Sequence, residues 1–434
     1  MRILSLSSAG KENVLVALRR PTQNLSVYRE KVQPIISAIR TGGDDVLREC
    51  TRRFDGVEIS DIRVPQNLLL DAWKRMPAEW VSAVSLARET IERFHRANMT
   101  AVSPLMETRP GVRCRTILRP VDRVGIYIPG GSAPLFSTVL MLGVPAKLAE
   151  VGQIVLCSPP QKNGEIADAI LAASSFLEID VVCRVGGAQA IAAMAYGTGS
   201  VPAVDKIVGP GNAYVSAAKL EVSMDPMGAA IDMLAGPSEL MVIADASANP
   251  SVIAADLLAQ AEHGPDSQVV LLTTSAGLLE GVQRALDDQG KTLPRRDIAL
   301  AALKSSVGLL TETLDQAVEI ANAYAPEHLS IQTNDPEKTL EFIRNAGSVF
   351  LGGLSPEACG DYCSGPNHAL PTSGTARFTG GVTVETFRKR ITVQELSSEG
   401  LRTIGPAAAV MARAEELEGH ARSIDIRLRS LSRL

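Results

Sequence analysis

Two short segments place imidazole and amide or carboxylate groups at spacings that suit catalysis. In YAPEHLS (324–330), Glu327 and His328 are adjacent just before an apolar run, with Pro326 stiffening the approach. Such a pair suits general acid–base work, because an imidazole titrates near neutrality and burial raises a carboxyl towards it. Neighbours in a regular strand point to opposite faces, so both can serve one substrate only where the chain is a loop; a solvated turn is the alternative. In QAEHG, Gln260 and His263 stand at i and i+3 near the end of a helix and share a face, offering an oxygen and a nitrogen donor to a metal. A histidine near a helix C-terminus also caps carbonyls or faces water. The Gly/Pro-rich stretch ACGDYCSGPNHALPT (358–372) reads as a loop and adds Asp361 and His368 as metal or substrate groups. Glu415 and His420 are five residues apart and diverge by roughly 140° on an ideal helix. Gly419 offers the break that lets them converge.

The dinucleotide fingerprint G-x-G-x-x-G is absent, yet three Gly-rich segments stand at expected strand ends: IPGGSAP (128–134), VGGAQA (185–190) and VGPGNAY (208–214). Each lies where a parallel strand passes into a helix, the place where open α/β sheets bind ligands and helix N-termini favour anions. One such turn serves chain reversal alone, whereas three at corresponding positions outline a ligand crevice. The chain holds only five histidines, at 95, 263, 328, 368 and 420. His95, in ETIERFHRAN, sits on a polar helical stretch and is expected to carry no chemistry.

These groups need elements to hold them. Apolar positions recur at helical spacing through residues 11–100. From 121 to 235, short β-branched runs (VGIYI, QIVLC, DVVCRV, DKIVG) alternate with Ala-rich helical stretches, the pattern of βαβ units in a parallel sheet. A second such core begins with ELMVIAD (239–245), continues through a helix with Asn249 as N-cap and Pro250 at its first position, and reaches SVFLG (348–352). The expected fold is α/β, with two parallel-sheet cores at roughly 121–235 and 236–375, N-terminal helices packing on one of them, and a helical C-terminal arm. That arm, outside the α/β rhythm, is a candidate for dimer exchange.

The 434 residues are 45% apolar and 21% charged with a net charge of −5, which excludes a disordered chain and leaves no basic block for nucleic acid. No apolar run reaches the ~18 residues of a spanning helix, and the N-terminus carries no signal-like segment, so no membrane and a cytoplasmic location are expected. Six cysteines without C-x-x-C spacing fit a reducing compartment.

Together the segments VGIYIPGGSAPLFSTVLM, IVGPGNAYV, IDMLAGPSEL, LLAQAEHG, YAPEHL, SGPNHALPT and RKRITVQELSSEGL resemble those of the histidinol dehydrogenase family, in the family's order and across essentially the whole chain. The resemblance implies a Zn2+ enzyme, one ion per subunit, that oxidises L-histidinol through L-histidinaldehyde to L-histidine with two NAD+. It implies Gln260, His263, Asp361 and His420 as zinc ligands and Glu327 with His328 as the acid–base pair. It further implies Ser238, His368 and Glu415 as substrate contacts, the zinc ligands and His328 also lining the substrate site, and Tyr127, Gln189 and Asn212 as NAD contacts. Finally, it implies two incomplete Rossmann-like parallel-sheet domains, 121–235 for NAD and 1–120 with 236–375 for zinc and substrate, and a homodimer in which the helical C-terminal arm, 376–434, completes the neighbour's site. Three rivals stay open: a relative acting on another small alcohol such as a sulfonated diol, a zinc hydrolase using the Glu/His pair without a nucleotide, and aldehyde oxidation through a thiohemiacetal on Cys359 or Cys363, which flank Asp361.

Overall fold

The structure is a computed structural model that describes residues 1–21, 24–130, 134–234 and 236–432. Strand β1 (Arg2–Ser5) opens the chain; β2 (Met106–Arg109) and β3 (Val112–Pro120) follow the N-terminal helices. Next come β4 (Arg123–Tyr127), β5 (Gln153–Ser158), β6 (Val181–Arg184), β7 (Lys206–Val208) and β8 (Ala230–Ile231). Then follow β9 (Glu239–Ala244), β10 (Gln268–Thr273), β11 (Val307–Leu310), β12 (His328–Gln332) and β13 (Ser348–Leu351), and last β14 (Arg388–Leu396).

Five strands form a parallel sheet in the order β6-β5-β4-β7-β8. The order reverses between β4 and β7, so the loops leaving these two strands splay apart and open a crevice at their carboxyl ends. A second parallel sheet has the order β1-β11-β10-β9-β12-β13. Its central strands ELMVIA and QVVLLT are buried at every position, as a sheet covered by helices on both faces requires.

The N-terminal segment serves both sheets. Residues 2–5 add the edge strand β1 beside β11, with Arg2 opposite Val307 and Ser5 opposite Leu310. The helix Leu25–Cys50 lays Val32, Ile36, Ile39 and Leu47 on the apolar cluster built around the helices Gly187–Tyr196 and Ala213–Met224. The helices between 25 and 97 therefore pack mainly on residues 121–235, where the helices Phe136–Leu148, Asp168–Phe176, Gly187–Tyr196 and Ala213–Met224 present the apolar surface that their own stripes match, while Thr90 and Phe94 also approach Gly365.

These elements belong to one compact unit, residues 1–98 with 122–387; residues 99–121 and 388–434 form a second. In the second unit RKRITVQEL is not helical. It is β14, antiparallel to β3 over nine residue pairs from Arg388 opposite Pro120 to Leu396 opposite Val112, and β2 completes a three-stranded sheet. Two helices follow, Ser398–Ala414 and Glu418–Leu431. None of the described helices is long and apolar enough to cross a membrane.

Candidate functional site

The loops at the β4/β7 switch point line a cleft of about 780 Å3. Tyr127, Gln189 and Asn212, drawn from three different strand ends, all face it, together with Gly130, Pro134 and Asp55. Tyr127 ends β4, and its buried hydroxyl accepts from the Gly187 N–H (3.0 Å), which ties the β4 turn to the β6 turn. Asn212 caps the helix Ala213–Met224, its side-chain oxygen accepting from the Tyr214 and Val215 N–H groups (3.0 and 3.1 Å). Gly209, at φ +119°, is obligatory: a Cβ there would stand 2.3 Å from the Tyr127 carbonyl oxygen. Gly131, Ser132 and Ala133 of the first Gly-rich turn lie outside the described residues. Two helices begin at the cleft, at Gly187 and Ala213, and their positive ends favour a pyrophosphate.

A smaller cavity of about 170 Å3 is lined by Ser238, His263, Glu327, His328, Asp361 and His368. The Gly-rich loop after β7 serves both spaces: Gly209 and Pro210 face the cavity and Asn212 the cleft. On the second sheet the site sits at the amino ends of the strands, where Glu239 begins β9 and His328 begins β12. It therefore receives the end of a helix: Pro250–Ala261 carries fully buried Gln260 in its last turn, and His263 follows the helix cap Glu262. A helix C-terminus favours a cation.

Glu327 lies in a bend outside β12, so it escapes the strand alternation and shares one space with His328. Its Oε2 accepts from Ser238 Oγ (2.6 Å) and from the Glu239 N–H (3.0 Å). Burial, reinforced by the nearby charges of Glu239 and Asp361, pushes its carboxyl well above the usual range despite those two donors. His328 Nδ1 lies 3.3 Å from the Glu239 carbonyl oxygen, which can only accept. Nδ1 therefore carries the proton, leaving Nε2, 3.8 Å from Asp361 Oδ1, as the acceptor. Burial, aided by His263 and His368, lowers the His328 imidazole to about 3, so it is neutral and open to a proton. His368 is held by the Asp361 carbonyl oxygen (2.9 Å) and Thr138 Oγ1 (3.2 Å), and burial lowers it to about 4.

Asp361 belongs to a short helix, Glu357–Tyr362, rather than to a loop. The helical spacing i, i+4 brings Glu357 beside it, a residue that lies just before the loop expected at 358–372 and carried no signal of its own. Donor atoms of His263, Glu357 and Asp361 lie within 4.8 Å of one another. Burial pushes Asp361 up to about 7 and Glu357 well above its usual range. Glu357 Oε2 and both carboxamide atoms of Gln260 are buried without a hydrogen-bond partner. Leaving a buried polar group unpaired costs about 1–3 kcal/mol. Crowded carboxyls, the His263 imidazole and an unsatisfied carboxamide at a helix C-terminus fit a divalent cation with a nitrogen and oxygen donor set, such as zinc.

The remaining residues from the sequence fall elsewhere. Glu415 and His420 are exposed and belong to the second unit. The break between its helices lies at Glu415–Leu417, with Glu416 left-handed (φ 62°), while Gly419 is inside the following helix. His95 is buried, contrary to its reading as part of a polar surface, because Val84, Ala87, Ile91 and His95 form one continuous helix face.

A profile of the histidinol dehydrogenase family matches residues 18–428. The chain is 50% identical over 437 residues to the histidinol dehydrogenase of Vibrio parahaemolyticus, covering 100% of this chain and 99% of that one. It is 49% identical to the enzyme of Xanthomonas euvesicatoria, covering 99% of each. The crystal structure of histidinol dehydrogenase from Elizabethkingia anophelis superposes with a TM-score of 0.95 at 42% identity, covering 100% of this chain and 99% of that one.

Proposed function

The chain belongs to the histidinol dehydrogenase family, and from that premise we propose how its residues divide the work. The activity is the NAD-dependent oxidation of histidinol to histidine in histidine biosynthesis, two hydride transfers from one carbon. The observation that carries the division of labour is the loop Gly209–Asn212, which borders both the large cleft and the histidine-lined cavity. A dinucleotide held by Tyr127, Gln189 and Asn212 can present its nicotinamide to a substrate held beside His328. Residues 121–235 then carry the cofactor, and residues 236–375 the substrate and metal.

Gln260, His263 and Asp361, with His420 of the partner subunit, would hold the zinc. When bound, zinc supplies a Lewis-acidic anchor for the amine and imidazole nitrogens of histidinol, chiefly an orienting effect. Ser238, His368 and Glu415 of the partner subunit complete the grip on the substrate. His328 Nε2 takes the hydroxyl proton as hydride passes to the first NAD+. Glu327 then takes a proton from water as it adds to the aldehyde, His328 returns its proton to the carbonyl oxygen, and the neutral His328 deprotonates the resulting diol as the second hydride leaves. A substrate held by these groups throughout keeps the reactive aldehyde from being lost between the halves. We place this dimeric enzyme in the cytoplasm with its NAD pool.

The test follows NADH spectroscopically with histidinol as substrate. Two NADH should form per histidine, chelation should abolish the signal, and zinc should restore it. A zinc-loaded protein that releases no NADH from histidinol would overturn the proposal and favour hydrolysis on the Glu327/His328 pair.

A further inference from the structure

Arg20 lies more than 300 residues from Glu327 in sequence and outside both cavities, yet it ends in the wall behind that residue. Its guanidinium forms a two-point ion pair with the Glu239 carboxylate: Nε bonds Oε2, and Nη2 donates to Oε1 (2.8 Å). The same Nη2 donates to the Tyr324 and Ala325 carbonyl oxygens (2.8 and 3.2 Å), and the cation lies 3.6 Å over the Tyr324 ring. The Tyr324 hydroxyl lies between Glu239 Oε2 (3.0 Å) and Gln268 Oε1 (2.8 Å) and shares its one proton with them. Glu239 is 2% exposed and Arg20 17%.

This network grips the turn that carries Glu327. Ala325 is held left-handed at φ 56°, a strained backbone for a residue with a Cβ. Beyond it, the Glu327 N–H donates to Glu239 Oε1 (3.3 Å), while Glu327 Oε2 accepts from the Glu239 N–H. Glu239 thus holds Glu327 twice, through its carboxylate and through its main chain. His328 is held differently: its Nδ1 hydrogen-bonds the Glu239 main-chain carbonyl, which the β9 ladder fixes whatever the side chain does, while the Glu357 and Glu327 carboxyls stand farther off at 3.5 and 3.7 Å.

We propose that Arg20 and Glu239 are positioning residues that aim the Glu327 carboxyl at the water-addition half of the reaction, while leaving His328 and the first hydride transfer largely independent of them. The inference rests on the assignment of Glu327 to water activation made above.

The two halves can be assayed apart with zinc-loaded protein. Oxidation of L-histidinaldehyde by NAD+ reports the second half; its reduction by NADH to histidinol reports the first in reverse. Arg20→Lys keeps the charge but cannot bond Glu239 and the carbonyls together, and Glu239→Gln keeps the shape while weakening the ion pair. Each should slow aldehyde oxidation by about 10- to 100-fold, the range expected for a displaced catalytic group. Aldehyde reduction should stay within about threefold, with KM for histidinol and zinc content unchanged. Glu327→Gln, run alongside, should show the same split more strongly. If it splits the halves and the Arg20 and Glu239 variants slow both equally, the positioning role is overturned with the Glu327 assignment intact. If Glu327→Gln itself slows both equally, that assignment falls and the proposal with it. Arg20→Met serves as a second variant: a folded protein that retains full aldehyde oxidation also overturns the positioning role.

Discussion

An imidazole buried without a partner for Nε2 resists protonation, and His95 is such a group: it is 2% exposed, and burial lowers it to about 4 from 6.5. Below pH 6.5 the unfolded chain binds this proton and the native protein does not. The native state therefore loses stability as the pH falls from about 6.5 to about 4, and above 6.5 His95 adds no slope. His95→Asn should leave turnover intact but lower stability by about 1–3 kcal/mol at neutral pH, by leaving a void and unpaired amide atoms. It should also flatten the acid limb of a plot of Tm against pH. A variant with unchanged Tm and an unchanged acid limb would refute this account. The burial was legible, since Val84, Ala87, Ile91 and His95 continue one helical stripe. The polar neighbours Glu92, Arg93 and Arg96 masked it. The four other histidines were singled out by their polar surroundings, and three of them, His263, His328 and His368, do meet in one cavity.

At the scale of elements, the helix Glu357–Tyr362 decides which of its groups can react. Glu357 and Asp361, four apart, share the face turned to His263. Cys359, two residues from each, is turned about 200° away on an ideal helix and is exposed. A thiohemiacetal route would need that thiol beside His328. Changing Cys359 and Cys363 together to Ser should therefore leave kcat for histidinol oxidation within about twofold; an inactive, zinc-loaded double variant would revive the covalent route. The parallel strands and the Asn249 and Pro250 helix start were readable from composition and spacing, and Asn249 does cap its helix through Ser251 N. The short helix at 357 was not, because six residues give too few turns for a periodicity to show. Strand β14 was missed for another reason: RKRITVQEL is charged and exposed, and its pairing with β3 is fixed by a partner more than 260 residues away. The placement of the second site at the amino ends of β9 and β12 also ran against the usual preference of parallel sheets for their carboxyl ends.

At the scale of the molecule, Glu415 and His420 lie in the second compact unit, around the break between two helices that expose Val410, Met411, Leu417 and Ile426. Such apolar surface suits burial against a second copy. If each active site is built from two chains, His263→Asn and His420→Asn homodimers are both inactive, yet mixing them under exchange conditions restores one intact site in every mixed dimer. Random exchange should return about a quarter of wild-type activity. No recovery in proven mixed dimers would show that each chain builds its site alone.

The loop Gly209–Asn212 gives the reaction a sense of time as well as place. Oxidising one carbon twice requires a spent nicotinamide to leave and a fresh one to arrive while the half-finished product waits. Because that loop borders both a roomy cleft and a small cavity, the division of labour proposed above would give the two reactants separate quarters, so that one is exchanged while the other stays bound. A single undivided pocket would have to let the aldehyde go in order to reload.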